Sequence, residues 1–178
     1  DGSGRVAYVG SFSKTMAPFL RLGYLVAPPG LVPALTVARR LADWHGELTT
    51  QLAMAGFIES GRLAWQLRRV RTVYAARHER LVAAVSGQLG AWFDVLPASA
   101  GLHVSAVVRP GVTLDLGVVA GVAAGRGIRV ERLARYCASP GVDGLVLGYG
   151  RIVEGRIADG VSGLAEVIRE DSRARGGG

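Results

Sequence analysis

Residues 8–24 read Tyr8-Val9-Gly10-Ser11-Phe12-Ser13-Lys14-Thr15-Met16-Ala17-Pro18-Phe19-Leu20-Arg21-Leu22-Gly23-Tyr24. Two short apolar runs frame this stretch, one over residues 5–10 and one over 22–27, and Pro28-Pro29-Gly30 ends the second. Short apolar runs bounded by turn residues predict buried strands. The polar segment Ser11–Thr15, followed by Pro18, predicts the turn that joins them. Lys14 therefore stands on a turn between two strands, where one side chain can be held in a fixed direction.

Composition singles out the same residue. The chain has 178 residues and 21 basic side chains, yet Lys14 is the sole lysine and the other 20 are arginine; asparagine is absent. Such a bias writes surface cations as arginine. Arginine replaces lysine as a solvated charge but not as an amine nucleophile, because its guanidinium stays protonated. A lone lysine is thus a candidate for amine chemistry, and on composition alone its chance survival at the surface fits equally well.

The neighbours of Lys14 favour chemistry. Ser11 and Ser13 flank it, and Arg21 follows seven residues on, just before the second strand. A phosphate is held by donors that converge from hydroxyls, backbone N–H groups and a guanidinium. An aldehyde-bearing phosphate ester needs, in addition, an amine at its other end, and these four residues supply both. No Gly-x-Gly-x-x-Gly or Walker-type loop occurs, which disfavours a nucleotide. His45, His78 and His103 lack metal-ligand spacing and read as surface or packing residues, so no metal is expected. No Gly-x-Ser-x-Gly elbow supports a serine hydrolase.

The remaining chain reads as α/β. Helices are predicted over 31–44, 48–59 and 62–89; in the last, Leu63, Leu67, Val70 and Tyr74 step by four, three and four and share one face. Arg62, Arg69, Arg77 and Arg80 mostly occupy the other faces and read as a solvated side. Beyond Gly90, strands are predicted over 92–96, 102–108, 128–130 and 145–149, with helices over 115–126 and 154–170. Residues 1–60 are expected to end an α/β domain, 61–89 to connect, 90–172 to form a smaller α+β domain, and the arginine-rich 173–178 to be a disordered tail.

A hydrophobic fraction of 49% and a charged fraction of 20% suit a globular chain with a core. The net charge of +7 attracts polyanions nonspecifically. The arginines are spread along the chain, without zinc-finger or basic-zipper spacing, and read as a solvated basic surface. No apolar run reaches the length of about 18 residues that a membrane span needs. No signal peptide is visible, and the single Cys137 forms no internal disulfide, so a cytoplasmic setting is the default expectation.

The segment Tyr8–Tyr24 closely resembles the lysine segment of fold type I aminotransferases, which use pyridoxal 5′-phosphate (PLP). It most resembles the aminotransferase-like domain of MocR-type regulators, a branch of the GntR transcription factors. Later pieces fit in order: Val26-Ala27-Pro28-Pro29-Gly30-Leu31, Phe57-Ile58-Glu59-Ser60-Gly61, Gly101-Leu102-His103, Gly127-Ile128-Arg129-Val130 and the run Gly144–Tyr149. The resemblance spans nearly the whole chain and implies the C-terminal part of such a fold, the end of the large domain plus the small domain. It implies that Lys14 forms a Schiff base with PLP and that Ser11, Ser13 and Arg21 bind the phosphate. In an enzyme, Lys14 would also shuttle a proton to and from the substrate.

Two departures bear on function. The acidic partner of the pyridine nitrogen and the residue that stacks on the ring lie upstream in relatives, so this chain is expected to be part of a longer protein and to expose a sheet edge. Aminotransferases of this type also often carry a carboxylate-binding arginine on the late strand, where Val146 stands here; Arg135 and Arg151 are near in sequence but off the motif. Without that bidentate anchor an amino acid is poorly oriented. The expected function is therefore a sensing domain that takes PLP or a small amino compound as effector. It would be a homodimer that reaches DNA only through a domain outside these residues. The alternative is a fragment of an active aminotransferase.

Overall fold

The computed structural model describes residues 3–98, 100–138 and 141–176. The chain divides into two compact units, Asp1–Arg71 and Thr72–Gly178.

In the first unit, strands β1 (Tyr8–Ser11) and β2 (Gly23–Val26) pair antiparallel, with Tyr8 opposite Val26 and Ser11 opposite Gly23. Two glycines occupy adjoining rungs of this register, Gly10 opposite Tyr24 and Gly23 opposite Ser11. A Cβ on Gly23 would lie 2.8 Å from the carbonyl oxygen of Gly10, and one on Gly10 would strike the Tyr24 ring. Helix α1 (Val32–Asp43) begins with Pro33 in its first turn, where a missing N–H costs nothing. It ends at Trp44, which has φ 62° and ψ −68° while His45 N–H bonds to Asp43 O at 2.7 Å. That geometry is a γ-turn, a strained conformation for a non-glycine residue. Helix α2 (Leu48–Glu59) is capped by Glu47, whose carboxylate accepts the Thr50 N–H at 2.7 Å. Among the described residues of this unit only Met54 is buried.

Helix α3 (Arg62–Leu89) runs without interruption from the first unit into the second. Its buried residues, Leu81, Val85 and Leu89, all lie in the second. They pack with β3 (Phe93–Val95), β4 (His103–Val108), α4 (Leu116–Gly125), β5 (Glu131–Arg132), β6 (Gly144–Gly148) and α5 (Ile157–Gly176). The sheet order is β3-β4-β6-β5 with every pair antiparallel. Val104 and Ala106 of β4 and Leu145 and Leu147 of β6 face the helices, and Ile157, Val161, Leu164 and Ile168 of α5 close over them at the period of a helix face. Asp115 caps α4 by accepting the Gly117 and Val118 N–H groups at 2.9 and 3.1 Å.

The helices over 48–59 and 62–89 match the expected spans, and the other elements shift by a few residues. Two expectations are corrected. Residues 128–130 are not a strand: Ile128 and Val130 pack on the core, and the pairing with β6 is made by Glu131 and Arg132. Residues 173–176, expected in a disordered tail, continue α5. Arg175 pairs there with Asp171 at 3.0 Å and with Asp115 at 3.2 Å, which anchors the last turn to the start of α4. Residues 177–178 lie outside the described residues. Among the described residues no helix is long and apolar enough to cross a membrane.

Candidate cofactor site on the β1–β2 turn

Ser11 is the last residue of β1, and Ser13, Lys14 and Arg21 lie on the connection to β2. The turn is built by the backbone: Phe12 N–H bonds to Leu22 O at 3.1 Å, extending the ladder by one rung, and Met16 N–H bonds to Phe12 O at 2.8 Å. Pro18–Leu20 then forms a single 3-10 turn. The Ser11 hydroxyl accepts the Ser13 N–H at 3.2 Å and donates to the Ser13 hydroxyl at 3.1 Å. The two hydroxyls thus lie together on one side of the turn, with the Ser13 N–H and the Ser11 hydroxyl proton engaged within the turn itself.

Lys14 and Arg21 are exposed, and among the described residues no carboxylate pairs with either cation. Both charges are available to a ligand. Arg21 has φ 49° and ψ 31°, a left-handed conformation uncommon for a residue with a Cβ. Its N–H bonds to Pro18 O at 3.4 Å, so the 3-10 turn sets where the guanidinium departs from the backbone. Arg21 also lines an open cleft of about 740 Å³ with Tyr24, Arg39, Arg40, Trp44 and Gln51. Lys14, Ser11 and Ser13 do not line that cleft.

The residue types and the paired hydroxyls fit PLP on this turn. Position by position, the sequence named the charged and hydroxyl groups but missed Tyr24, which props the turn. Its ring lies 5.3 Å from Phe12 and 6.0 Å from Tyr8, between the strand and the turn. A hydrogen bond that the Tyr24 hydroxyl donates to Tyr8 is the main cause that raises it above its ordinary value. The pairing of Tyr24 with Gly10 across the two strands was the signal that could have found it.

Val146 sits in the middle of β6, opposite Ser105 of β4 and Glu131 of β5. Its neighbours Leu145 and Leu147 are buried on the helix side, so Val146 points to the other face. Arg135 is exposed and pairs with Glu131 at 3.6 Å, while Arg151 follows the strand and is exposed. His78 and Tyr149 stack edge to face at 5.6 Å, a packing role for that histidine.

No family model matches the chain. The probable rhizopine catabolism regulatory protein MocR of Rhizobium meliloti is 34% identical over 165 residues, 92% of this chain and 33% of that protein. The HTH-type pyridoxine biosynthesis transcriptional regulator PdxR of Corynebacterium glutamicum is 33% identical over 168 residues, 89% of this chain and 35% of its own. Among solved structures, LysN, the alpha-aminoadipate aminotransferase of Thermus thermophilus complexed with N-(5'-phosphopyridoxyl)-L-leucine, superposes with a TM-score of 0.81 at 25% identity. The match covers 95% of this chain and 43% of LysN. The chain thus spans about a third of the length of the curated relatives.

What the fold defines is the C-terminal part of a fold type I aminotransferase-like domain. Within that class, the chain belongs with the aminotransferase-like region of MocR/GntR-type regulators.

Proposed function

We propose that the chain is the cofactor- and effector-binding part of a MocR/GntR-type transcriptional regulator, with Lys14 as the residue that bonds PLP. The observation that carries the cofactor reading is the turn itself: an exposed lysine beside two hydroxyls that bond to each other, with an exposed arginine on the same connection. When bound, PLP supplies an electrophilic carbon that takes up primary amines. Ser11, Ser13 and Arg21 hold the phosphate by charge-assisted hydrogen bonds. Lys14 would supply the amine that bonds the aldehyde carbon of PLP. Regulation then follows from a difference in ligand affinity between two poses of the longer protein.

Val146 favours sensing over turnover. A valine cannot orient a substrate carboxylate, and poor orientation forfeits much of the rate an enzyme gains. DNA is reached through a helix-turn-helix region outside this chain, in the manner that the relatives' names describe. A homodimer in the cytoplasm completes the reading. The competing reading, part of an active aminotransferase, draws on the likeness to LysN.

The test uses the full-length protein. It is mixed with PLP and reduced with borohydride, and the pyridoxyl group is mapped. Modification at Lys14 is expected, and modification elsewhere overturns the cofactor assignment. Complete transamination cycles at enzyme-like rates would overturn the regulatory assignment while leaving Lys14 in place.

A further inference from the structure

Lys14 is the middle residue of a single closed turn. Met16 N–H bonds to Phe12 O at 2.8 Å, an i→i+4 bond that arches over Ser13, Lys14 and Thr15. The turn is not continued into a helix. Ala17 is extended, with φ −158° and ψ 135°, as the residue before a proline commonly is, and Pro18 has no N–H to give to the Lys14 carbonyl. Lys14 therefore takes its direction from one turn rather than from a helix.

Phe12 fixes that turn to the sheet. Its N–H bonds to Leu22 O at 3.1 Å, and its ring packs 5.3 Å from the Tyr24 ring. Its carbonyl has a second donor besides Met16, the Thr15 hydroxyl at 3.4 Å. Threonine often bonds a carbonyl three or four residues before it. Here that bond crosses the one lysine of the chain, from Thr15 on one side to Phe12 on the other. It spans three residues and belongs to the turn, whatever chain lies around it.

We propose that Thr15 is a positioning residue for Lys14, its hydroxyl bracing the turn so that the amine is presented to an aldehyde-bearing ligand in one direction. The inference rests on Lys14 bonding PLP. In that step a bond forms between Lys14 Nζ and the aldehyde carbon, and the aldehyde oxygen leaves as water with two protons from the neutral amine. A preset direction favours the step, because ordering the turn at the moment of bonding costs entropy. The hydroxyl side of the turn has its own support. Ser13 N–H stays bonded to the Ser11 hydroxyl at 3.2 Å, so loss of the Thr15 hydroxyl acts on the amine and spares the phosphate.

The test compares full-length wild type with Thr15→Val, which keeps the side-chain shape without the hydroxyl, and Thr15→Ser, which keeps the hydroxyl. Two ligands are titrated. One is PLP, with the bond to Lys14 read by absorbance and borohydride trapping. The other is 4′-deoxypyridoxine 5′-phosphate, which has the ring and phosphate but no aldehyde. Thr15→Val should weaken covalent capture about three- to tenfold, the worth of one hydrogen bond, and leave the deoxy compound within about twofold. Thr15→Ser should restore capture. A loss of capture below about twofold, or equal losses for the two ligands, overturns the proposal. Exchange of the Met16 amide, measured without ligand, should quicken in Thr15→Val and recover in Thr15→Ser; equal exchange in the three forms also overturns it. Wild type that takes no PLP at Lys14 would overturn the cofactor assignment instead, and the Met16 amide would still decide whether Thr15 braces the turn.

Discussion

The Tyr24 ring lies across Gly10 on the neighbouring strand, so close that a Cβ at position 10 would fall 2.2 Å from the ring's Cζ. The two residues face each other in the β1–β2 register, and the ring fills the space that a side chain on β1 would take. Phe12 packs on the same ring and begins the turn that carries Ser13 and Lys14. Gly10 thereby sets the position of Lys14 from four residues away.

Gly10→Ala should displace the ring and loosen the turn. Overpacking of this kind costs about 1–3 kcal/mol. The measurement is hydrogen exchange at Phe12 and Leu25, which should quicken, with a weaker near-ultraviolet tyrosine signal. Unchanged exchange would mean the ring has another rotamer open to it.

Arg21 invites a paired substitution. Arg21→Ala removes the guanidinium but keeps a Cβ in a left-handed backbone, whereas Arg21→Gly removes both. PLP affinity in the full-length protein should fall equally in the two variants. The β1–β2 turn should be held more firmly in the glycine variant than in the alanine variant by about 1 kcal/mol. Exchange rates of the β2 amides check the second part, and a spectroscopic PLP titration checks the first.

Asp115 makes the second unit sensitive to acid. Its carboxyl is held below its usual value mainly by the hydrogen bond from Val118 N–H, with Gly117 N–H and the Arg175 guanidinium adding to the effect. A folded-state value below the unfolded one means that the stabilisation is complete at neutral pH. It is lost as pH falls below the unfolded value and through the folded one. Asp115→Ala should therefore lower the melting temperature at pH 7, and the gap from wild type should shrink in acid. Asp115→Asn, which keeps a capping oxygen, should recover part of the loss at pH 7.

Arg77 spans from α3 to the carbonyl of Gly150 and packs beside Tyr74. Among the described residues its Nε is buried without a hydrogen-bond partner, so the side chain already bears one desolvation cost. Arg77→Met should leave the Gly150 carbonyl short of its donor, at a cost of about 1–3 kcal/mol offset in part by removing the buried Nε. Chemical denaturation followed on β6 amides measures the net, which should be smaller than for a core truncation such as Leu164→Ala, about 2–5 kcal/mol.

Helices α2 and α3 were legible end to end because their signals are local. Glu47 caps one, Ser60-Gly61 separates the two, and the four-three-four spacing of apolar residues marks a face. The position of the strand pair around Lys14 was legible for a similar reason, since polar turn residues lie between two apolar runs, but the burial expected of both strands is not seen here, where they are largely exposed. Residues 128–130 misled because a β-branched run looks alike whether it joins a sheet or packs beside one. None of them pairs with β6: the chain turns at Gly127, with φ 79°, and the pairing begins only at Glu131. The last turn of α5 was illegible because its support, Asp115, lies 60 residues before Arg175.

The sequence by itself determined the chemistry available at the turn: a single amine, two hydroxyls and a guanidinium on one connection between two strands. Residue type and short-range order settle that, and no distant contact can add an amine where arginine is written. The tertiary structure decided which apolar faces are covered. The same apolar periodicity runs through both halves of α3, yet Leu81, Val85 and Leu89 are buried while Leu67 and Trp65 remain exposed. Periodicity states which face of a helix would be buried; only the arrangement of β4, β6 and α5 around one end decides where it is, because burial is a property of what lies opposite.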